Sequence, residues 1–86
     1  MQDRDCDRLR SWCGYPAGHL FRPDLFAGDE MILVDKLLSE GCMVSIRRTA
    51  LGQYICTITP GRGDPLSVSD PTRRGAVCFC ALGVCP

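Results

Sequence analysis

The apolar residues of this chain change their spacing at Gly41, and this change restricts the fold more than any other sequence feature. Before Gly41, apolar residues recur at helical spacing over 25–40. This pattern predicts a helix that Asp24 caps and that Gly41 ends in the left-handed conformation. After Gly41, apolar and polar residues alternate, which is typical of half-buried β-strands. A helix followed by strands predicts a small α+β domain.

Three short strands are predicted after this helix. The alternation covers 42–47 and 54–59, with a turn at Leu51-Gly52 between them. The turn-rich segment 60–65 then precedes a third strand over 66–68. Strands joined by such short loops pair antiparallel, so the sequence predicts a three-stranded antiparallel sheet.

A second helix is predicted after the strands. Asp70 can cap free backbone amides, and Pro71 suits the first helical position, where its missing N–H has no cost. The helix should run from Pro71 to about Leu82, with an apolar face of Ala76, Val77, Phe79, Cys80 and Val84. The predicted order is therefore α-β-β-β-α, in a single domain over residues 23–86.

Residues 1–22 are predicted to form an irregular segment that covers part of this domain. Glycines and prolines interrupt the segment, although a short helix over 5–12 is compatible with its pattern. It carries the large apolar side chains Trp12, Tyr15, Leu20 and Phe21. Burial of such side chains stabilises a fold, so we expect the segment to pack against the domain.

Composition narrows the classes of partner. Ten acidic and ten basic residues give zero net charge, so no strong global field attracts nucleic acid or an anionic membrane. No apolar run is long enough to span a bilayer, and the alternating charges of residues 1–5 are unlike a secretory signal. We therefore expect a cytoplasmic protein with no membrane partner, whose seven cysteines are mainly reduced thiols.

Cys78, Cys80 and Cys85 are the candidate metal ligands, because thiolates are preferred ligands of zinc. Residues two apart on a helix point to different sides, which argues against a site built on Cys78 and Cys80. We predict no cofactor and interpret Cys42 and Cys56, at alternating strand positions, as small buried apolar groups. A small zinc-binding domain stays an alternative.

Catalytic signals are weak in this sequence. His19 is the only histidine, and no nucleophile or acid stands near it in a recognisable pattern. No glycine-rich loop leads directly into a helix, as phosphate binding would require. The tripeptide Arg62-Gly63-Asp64 matches integrin-binding peptides, but turn chemistry accounts for each of its residues. We therefore predict that the protein is not an enzyme.

Residues 20–84 are the part of the chain that resembles a known family. The matching segments read FRPDLFAGDEMILVDKLLSEG, CMVSIRRTALGQYICTIT and SDPTRRGAVCFCALGV. The matched positions are structural: the helix end at 37–41, the strand 44–47, the hairpin exit Gly52-x-Tyr54 and the closing helix 76–82. In these features the chain resembles the phage α-β-α sandwich domain.

That resemblance implies a phage or prophage accessory protein in the cytoplasm of an infected or lysogenic bacterial host. It implies little about mechanism, because none of the matched positions is a chemical motif. The cysteine-rich end of the closing helix departs from what the family leads us to expect. In a phage setting, we expect such a module to block a host protein, including a defence complex.

Binding of a protein partner is the function that the sequence favours by elimination. Candidate binding residues are five arginines and two strand residues: Arg47, Arg48, Arg62, Arg73, Arg74, Met43 and Ile55. If both helices cover one face of the sheet, the other face is open and Met43 with Ile55 becomes a candidate patch. Self-association into a homo-oligomer is an alternative use of such a face.

Nucleic-acid binding is the second hypothesis, because the α-β-β-β-α order is also that of double-stranded-RNA-binding domains. In those domains, basic residues at the start of the second helix contact phosphates. Arg73 and Arg74 occupy a comparable place. The basic run is short and the net charge is zero, whereas affinity for nucleic acid depends chiefly on neutralising phosphates.

Overall fold

The computed structural model describes residues 1–86, which form three helices and one three-stranded antiparallel sheet. The elements follow in the order α1 (Asp3–Trp12), α2 (Ala27–Ser39), β1 (Met43–Arg48), β2 (Tyr54–Thr59), β3 (Leu66–Asp70) and α3 (Arg73–Leu82). The α+β class and the antiparallel sheet are confirmed. None of the three helices combines the length and the apolar character needed to cross a bilayer.

Helix α1 occupies much of the segment that was predicted to be irregular. Asp5 accepts a hydrogen bond from the Gln2 backbone N–H at 3.3 Å, which satisfies a donor at the helix start. Cys6 and Leu9 are buried, and Leu9 belongs to the main core. These two residues stand three apart, at helical spacing, among charged residues that face solvent. A short helix over 5–12 was compatible with the sequence, and α1 extends it by two residues at its start.

Helix α2 begins at Ala27, two residues after the predicted start, and ends where the sequence indicated. The prediction that Asp24 caps it is wrong, because the N-cap position is Phe26 and the Asp24 carboxylate pairs with Arg22. Gly41 has a φ of 82°, the left-handed conformation that glycine adopts without steric cost. The Cys42 N–H then donates back to the Leu37 carbonyl at 3.1 Å. This bond satisfies a carbonyl at the helix end and turns the chain directly into β1.

Helix α3 starts later than predicted, and its cap is Thr72 rather than Asp70. Thr72 Oγ1 accepts a hydrogen bond from the Gly75 N–H at 3.0 Å. Asp70 instead ends β3, where its carboxylate accepts bonds from the Thr72 N–H and hydroxyl, both at 2.9 Å. Phe79, predicted on the apolar face, is 39% exposed because its neighbours Cys78 and Cys80 take the buried positions.

Helices α2 and α3 cover one face of the sheet, whose strand order is β1-β2-β3. Helix α2 packs on β1, α3 packs on β2 and β3, and α1 packs against α3. Alternate strand residues contact the helical core: Val44, Ile46, Tyr54, Cys56, Ile58, Leu66 and Val68. Cys42 and Cys56 are buried, as the alternation predicted. The other face of the sheet is left without a covering layer.

Candidate functional site

The uncovered side of the sheet forms a surface that we term the open face. It consists of the strand residues that point away from the helices: Met43, Ser45, Arg47, Ile55, Thr57, Thr59, Ser67 and Ser69. The edge-strand members are exposed, whereas those on β2 are half-buried between their neighbours. Thr57 and Ser67 lie opposite each other, with their hydroxyl oxygens 2.8 Å apart. Arg47 is the only charged residue of this face, so the face is positive.

Met43 and Ile55 do not form a single patch in one copy of the chain. Met43 lies opposite Thr59, and Ile55 lies opposite Arg47, with the Ser45–Thr57 pair between these two rows. The two rows are four residues apart along β1, or about 13 Å. The candidate apolar patch is therefore divided by hydroxyl groups, because the strand register separates two residues that share a face.

The five candidate arginines are distributed over both ends of the sheet. Arg47 and Arg48 end β1, but they point to opposite faces, and the Arg48 guanidinium lies over the Tyr54 ring at 5.6 Å. Tyr54 also pairs with Asp70, so the start of α3, with Arg73 and Arg74, lies near this end. Arg62 lies in the β2–β3 loop at the opposite end. No single basic cluster results.

Arg73 and Arg74 are engaged with the body of the protein. The Arg73 guanidinium lies 3.2 Å from a carboxylate oxygen of Glu30, whose side chain is only 5% exposed. The Nε atom of Arg74 is buried without a hydrogen-bond partner, as is the second oxygen of Glu30. These residues line a cleft of about 280 Å³ together with Asp24 and Thr72. Two carboxylates thus offset the basic charge that phosphate contacts would need.

Glu30 is the residue whose role the sequence reading missed. Its place in the first turn of α2 indicates an acid that interacts favourably with the positive end of the helix dipole. The structure also places it in the buried stripe of α2, with Leu33 and Leu37. In the sequence, Glu30 stands three residues before Leu33 and seven before Leu37. This spacing puts all three residues on the same side of the helix. Its contact with Arg73 joins the starts of α2 and α3.

The candidate metal ligands are directed to different surroundings. The Cys80 sulfur lies 3.4 Å from the Cys56 carbonyl oxygen and 3.2 Å from that of Leu66, against the sheet. The Cys85 sulfur lies 3.8 Å from the Arg8 carbonyl oxygen, against α1. Cys78 is fully buried in the core. No three histidine, cysteine or acidic side chains come together in a group able to hold a metal ion.

The buried thiols have no activating environment that would make them nucleophiles. Burial raises the pKa of Cys78 to about 12. Burial likewise raises the pKa values of Cys6, Cys13 and Cys85. The neighbouring Cys56 and Cys80 side chains interact, which raises the pKa of Cys56 and lowers that of Cys80. Both are fully buried, so a substrate in solution cannot reach either sulfur.

His19 and the Arg62-Gly63-Asp64 tripeptide lie outside these clusters. The His19 ring is exposed and stacks on Tyr15, with ring centroids 4.3 Å apart. The tripeptide lies in the exposed β2–β3 loop, where Gly63 has a φ of 108°. A positive φ favours glycine, so the turn itself accounts for this residue.

A second surface, which the sequence reading also missed, lies beside β1. Strand β1 is an edge strand, so one row of its backbone groups has no partner. Above it, one side of α2 presents an apolar stripe that we term the α2 flank: Ala27, Met31, Val34 and Leu38. Met31 is 66% exposed and Leu38 is 53% exposed. Val34 is partly buried against the core, whereas Met31 and Leu38 project into solvent beside it, a difference that only the packing shows.

Comparisons with known proteins gave no match for this chain: no family model, no curated protein and no solved structure corresponds to it. The open face, the β1 edge and the α2 flank are the surfaces that this chain offers to a partner.

Proposed function

We propose that this chain is a small, non-enzymatic module that binds a protein partner through the open face of its sheet. The observation that carries the proposal is that helices cover one side of the sheet only. An antiparallel sheet tolerates one solvated face, so exposure alone is no proof of a site. Here the exposed side chains supply hydrogen-bonding, apolar and cationic groups at defined spacings.

The chemistry of the open face indicates what kind of protein surface it fits. Serine and threonine hydroxyls donate and accept hydrogen bonds, and they adapt to either kind of partner group. Arg47 supplies a guanidinium that pairs best with a carboxylate, in a bidentate arrangement. A fitting partner surface is therefore flat, carries an acidic residue opposite Arg47, and has small apolar groups opposite Met43 or Ile55.

Two further observations support a binding role over catalysis. Burial raises the pKa values of Cys78 and Cys85 further above neutral pH, and the exposed His19 stacks on an aromatic ring. Neither arrangement provides a base in contact with a nucleophile, which general acid–base or covalent catalysis requires.

The resemblance of residues 20–84 to the phage α-β-α sandwich domain supports a specific setting for this role. In that setting the module is a phage accessory protein in the cytoplasm of a bacterial host. Its partner is then a host protein, including a component of a defence complex, which the module inhibits by occupying one of its surfaces.

A pair of charge reversals tests the open face. Arg47→Glu changes this face, and Arg62→Glu makes the same change at an exposed arginine at the other end of the sheet. A tagged chain is expressed in the host and recovered with its bound protein. We expect the bound protein to be lost with Arg47→Glu and retained with Arg62→Glu, with both variants folded by circular dichroism. Equal retention by the two variants would refute the proposal.

A further inference from the structure

One hydrogen bond shows which backbone N–H and C=O groups of β1 bond to β2 and which have no partner. The Thr49 N–H donates to the Gln53 carbonyl at 2.7 Å, so these opposed residues form a hydrogen-bonded pair. Hydrogen-bonded and non-bonded pairs alternate along an antiparallel ladder. Met43, Ser45 and Arg47 therefore bond to β2. The N–H and C=O groups of Val44, Ile46 and Arg48 point outward, away from the sheet.

This edge lacks most of the features that protect edge strands from pairing. Strand β1 pairs with β2 through six consecutive residues without a bulge, and it contains no proline and no lysine. The other edge strand, β3, is shorter and is flanked by Pro65 and Pro71. Only the arginines at the end of β1 hinder association, and they leave the backbone from Val44 to Ile46 accessible.

The α2 flank lies on the same side of the molecule as this edge. Helix α2 packs on β1, whereas α3 packs on β2 and β3, so α3 is the inner neighbour of α2. The side of α2 that carries Asp29 and Lys36 faces the N-terminal segment: Asp29 accepts a bond from the Arg22 N–H, and Lys36 lies over the Trp12 ring. The flank with Met31 and Leu38 is on the other side, above the free edge.

We propose that a second copy of this chain occupies the β1 edge, so that two sheets join into one antiparallel sheet of six strands. An outward row of donors and acceptors is self-complementary when two copies meet antiparallel about a two-fold axis. The α2 flanks of the two copies then cover each other's apolar stripes. The chain has no net charge that would oppose the approach.

Register and charge together favour one arrangement of the two strands. Because residues that face the helices must stay on one side, the two-fold axis lies at a residue and not between two residues. The central residues of β1, which give the longest overlap, are Ser45 and Ile46. With the axis at Ser45, Val44 bonds to Ile46 of the second copy, and the two Arg47 side chains are about 13 Å apart along the strands. With the axis at Ile46, that separation falls to about 7 Å. Repulsion between the guanidinium groups therefore favours the Ser45 axis.

Pairing would enlarge the open face, which the proposed function assigns to partner binding. The biological role of the pairing rests on that proposed function. Around the Ser45 axis, Met43 of one copy lies opposite Arg47 of the second copy, with Ile55 of the second copy as the next residue in the row. Met43 of one copy and Ile55 of the second copy then flank one Arg47 side chain, so a single row holds two apolar groups and a cation. The open face of one copy covers about 300 Å², and the joined face about 600 Å². A stable interface buries about 800 Å² on each partner, so pairing brings the face near that size.

The oligomeric state of the purified chain tests this inference. Sedimentation equilibrium of the wild type should give twice the chain mass of 9.5 kDa at high concentration. The double variant Met31→Glu and Leu38→Glu should give the single-chain mass, because the flanks would bring carboxylates together. The control is Leu51→Glu, the same change at a 93% exposed residue of the β1–β2 hairpin, and it should stay dimeric. A wild type that is monomeric throughout would overturn the inference.

Amide hydrogen exchange distinguishes edge pairing from any other dimer. In the dimer, the N–H groups of Val44 and Ile46 should be protected, and they should exchange freely in the monomeric double variant. The Ser45 and Arg47 N–H groups bond to β2 and should be protected in both. A wild-type dimer whose Val44 and Ile46 amides exchange freely would also overturn the inference.

The two proposals fail separately. If the wild type is a monomer and Arg47→Glu still abolishes partner capture, the pairing is wrong and the binding function stands. If the wild type pairs through β1 and Arg47→Glu captures the partner as well as Arg62→Glu does, the pairing stands and the open face is not the binding surface.

Discussion

Alkaline pH should destabilise this fold because its buried thiols resist ionisation, and the thiol of Cys78 makes a large contribution that can be measured separately. The residue is fully buried in α3, and burial raises its pKa from 9.0 to about 12. The thiolate therefore forms in the unfolded chain at a lower pH than in the folded one. The stabilising contribution is complete below pH 9 and is lost as the pH rises toward 12.

The magnitude follows from the size of this pKa difference. At about pH 10, one unit above the ordinary thiol pKa, the Cys78 contribution lost is about 1.4 kcal/mol. The full difference between the folded and unfolded pKa values corresponds to a loss of about 4 kcal/mol in the free energy of unfolding, which is approached near pH 12. A domain of this size has a free energy of unfolding of about 4–13 kcal/mol, so even the smaller loss is a large fraction.

Urea unfolding of the reduced wild type and of Cys78→Ala measures this effect. Each protein is measured at neutral pH and at about pH 10, and the two losses in unfolding free energy are compared. Titration of the other cysteines is common to both proteins and cancels in the comparison. The wild type should lose about 1.4 kcal/mol more than the variant. Equal losses would refute the reasoning, because Cys78 would then titrate alike in the folded and unfolded chains.

Three other predictions concern the packing and the charged residues. Leu9→Ala should lower the unfolding free energy by about 2–5 kcal/mol in urea titrations, and a loss under about 1 kcal/mol would show that α1 is not part of the core. Arg73→Ala should cost about 1–3 kcal/mol by leaving the buried Glu30 carboxylate without its cation, and adding Glu30→Leu should recover most of it in a double-mutant cycle. Duplex RNA should show no salt-dependent mobility shift with this chain. A shift that Arg73→Ala with Arg74→Ala removes would instead support the nucleic-acid alternative.

The sheet, α2 and α3 could be predicted because the local residue patterns indicate the same elements that the packed structure forms. Gly41 ends a helix and starts an alternating pattern, and the structure places both changes at that residue. Helix α1 was harder to predict, since only Cys6 and Leu9 form its buried stripe among many charged residues. At the start of α3, Asp70 and Thr72 are both competent caps, and the length of β3 decides between them.

The candidate site was less predictable, because it depends on register and layer order. Alternation assigns Met43 and Ile55 to one face, but only the pairing of β1 with β2 shows how far apart they lie. The helical pattern of α2 likewise does not reveal which of its apolar residues face the core. Met31 and Leu38 stay exposed because α3 lies on the other side of the helix. These are relations between elements, which no single segment encodes.

Site-specific photo-crosslinking from the open face tests the central claim most directly. A photoreactive residue replaces Ser45 or Ser67, both exposed on the open face, or Leu51 at the hairpin as a control. After irradiation in the producing host, our account predicts one crosslinked host protein with Ser45 and Ser67 and none with Leu51. A host protein captured from Leu51 but from neither open-face position would contradict the claim that the uncovered side of the sheet is the binding surface.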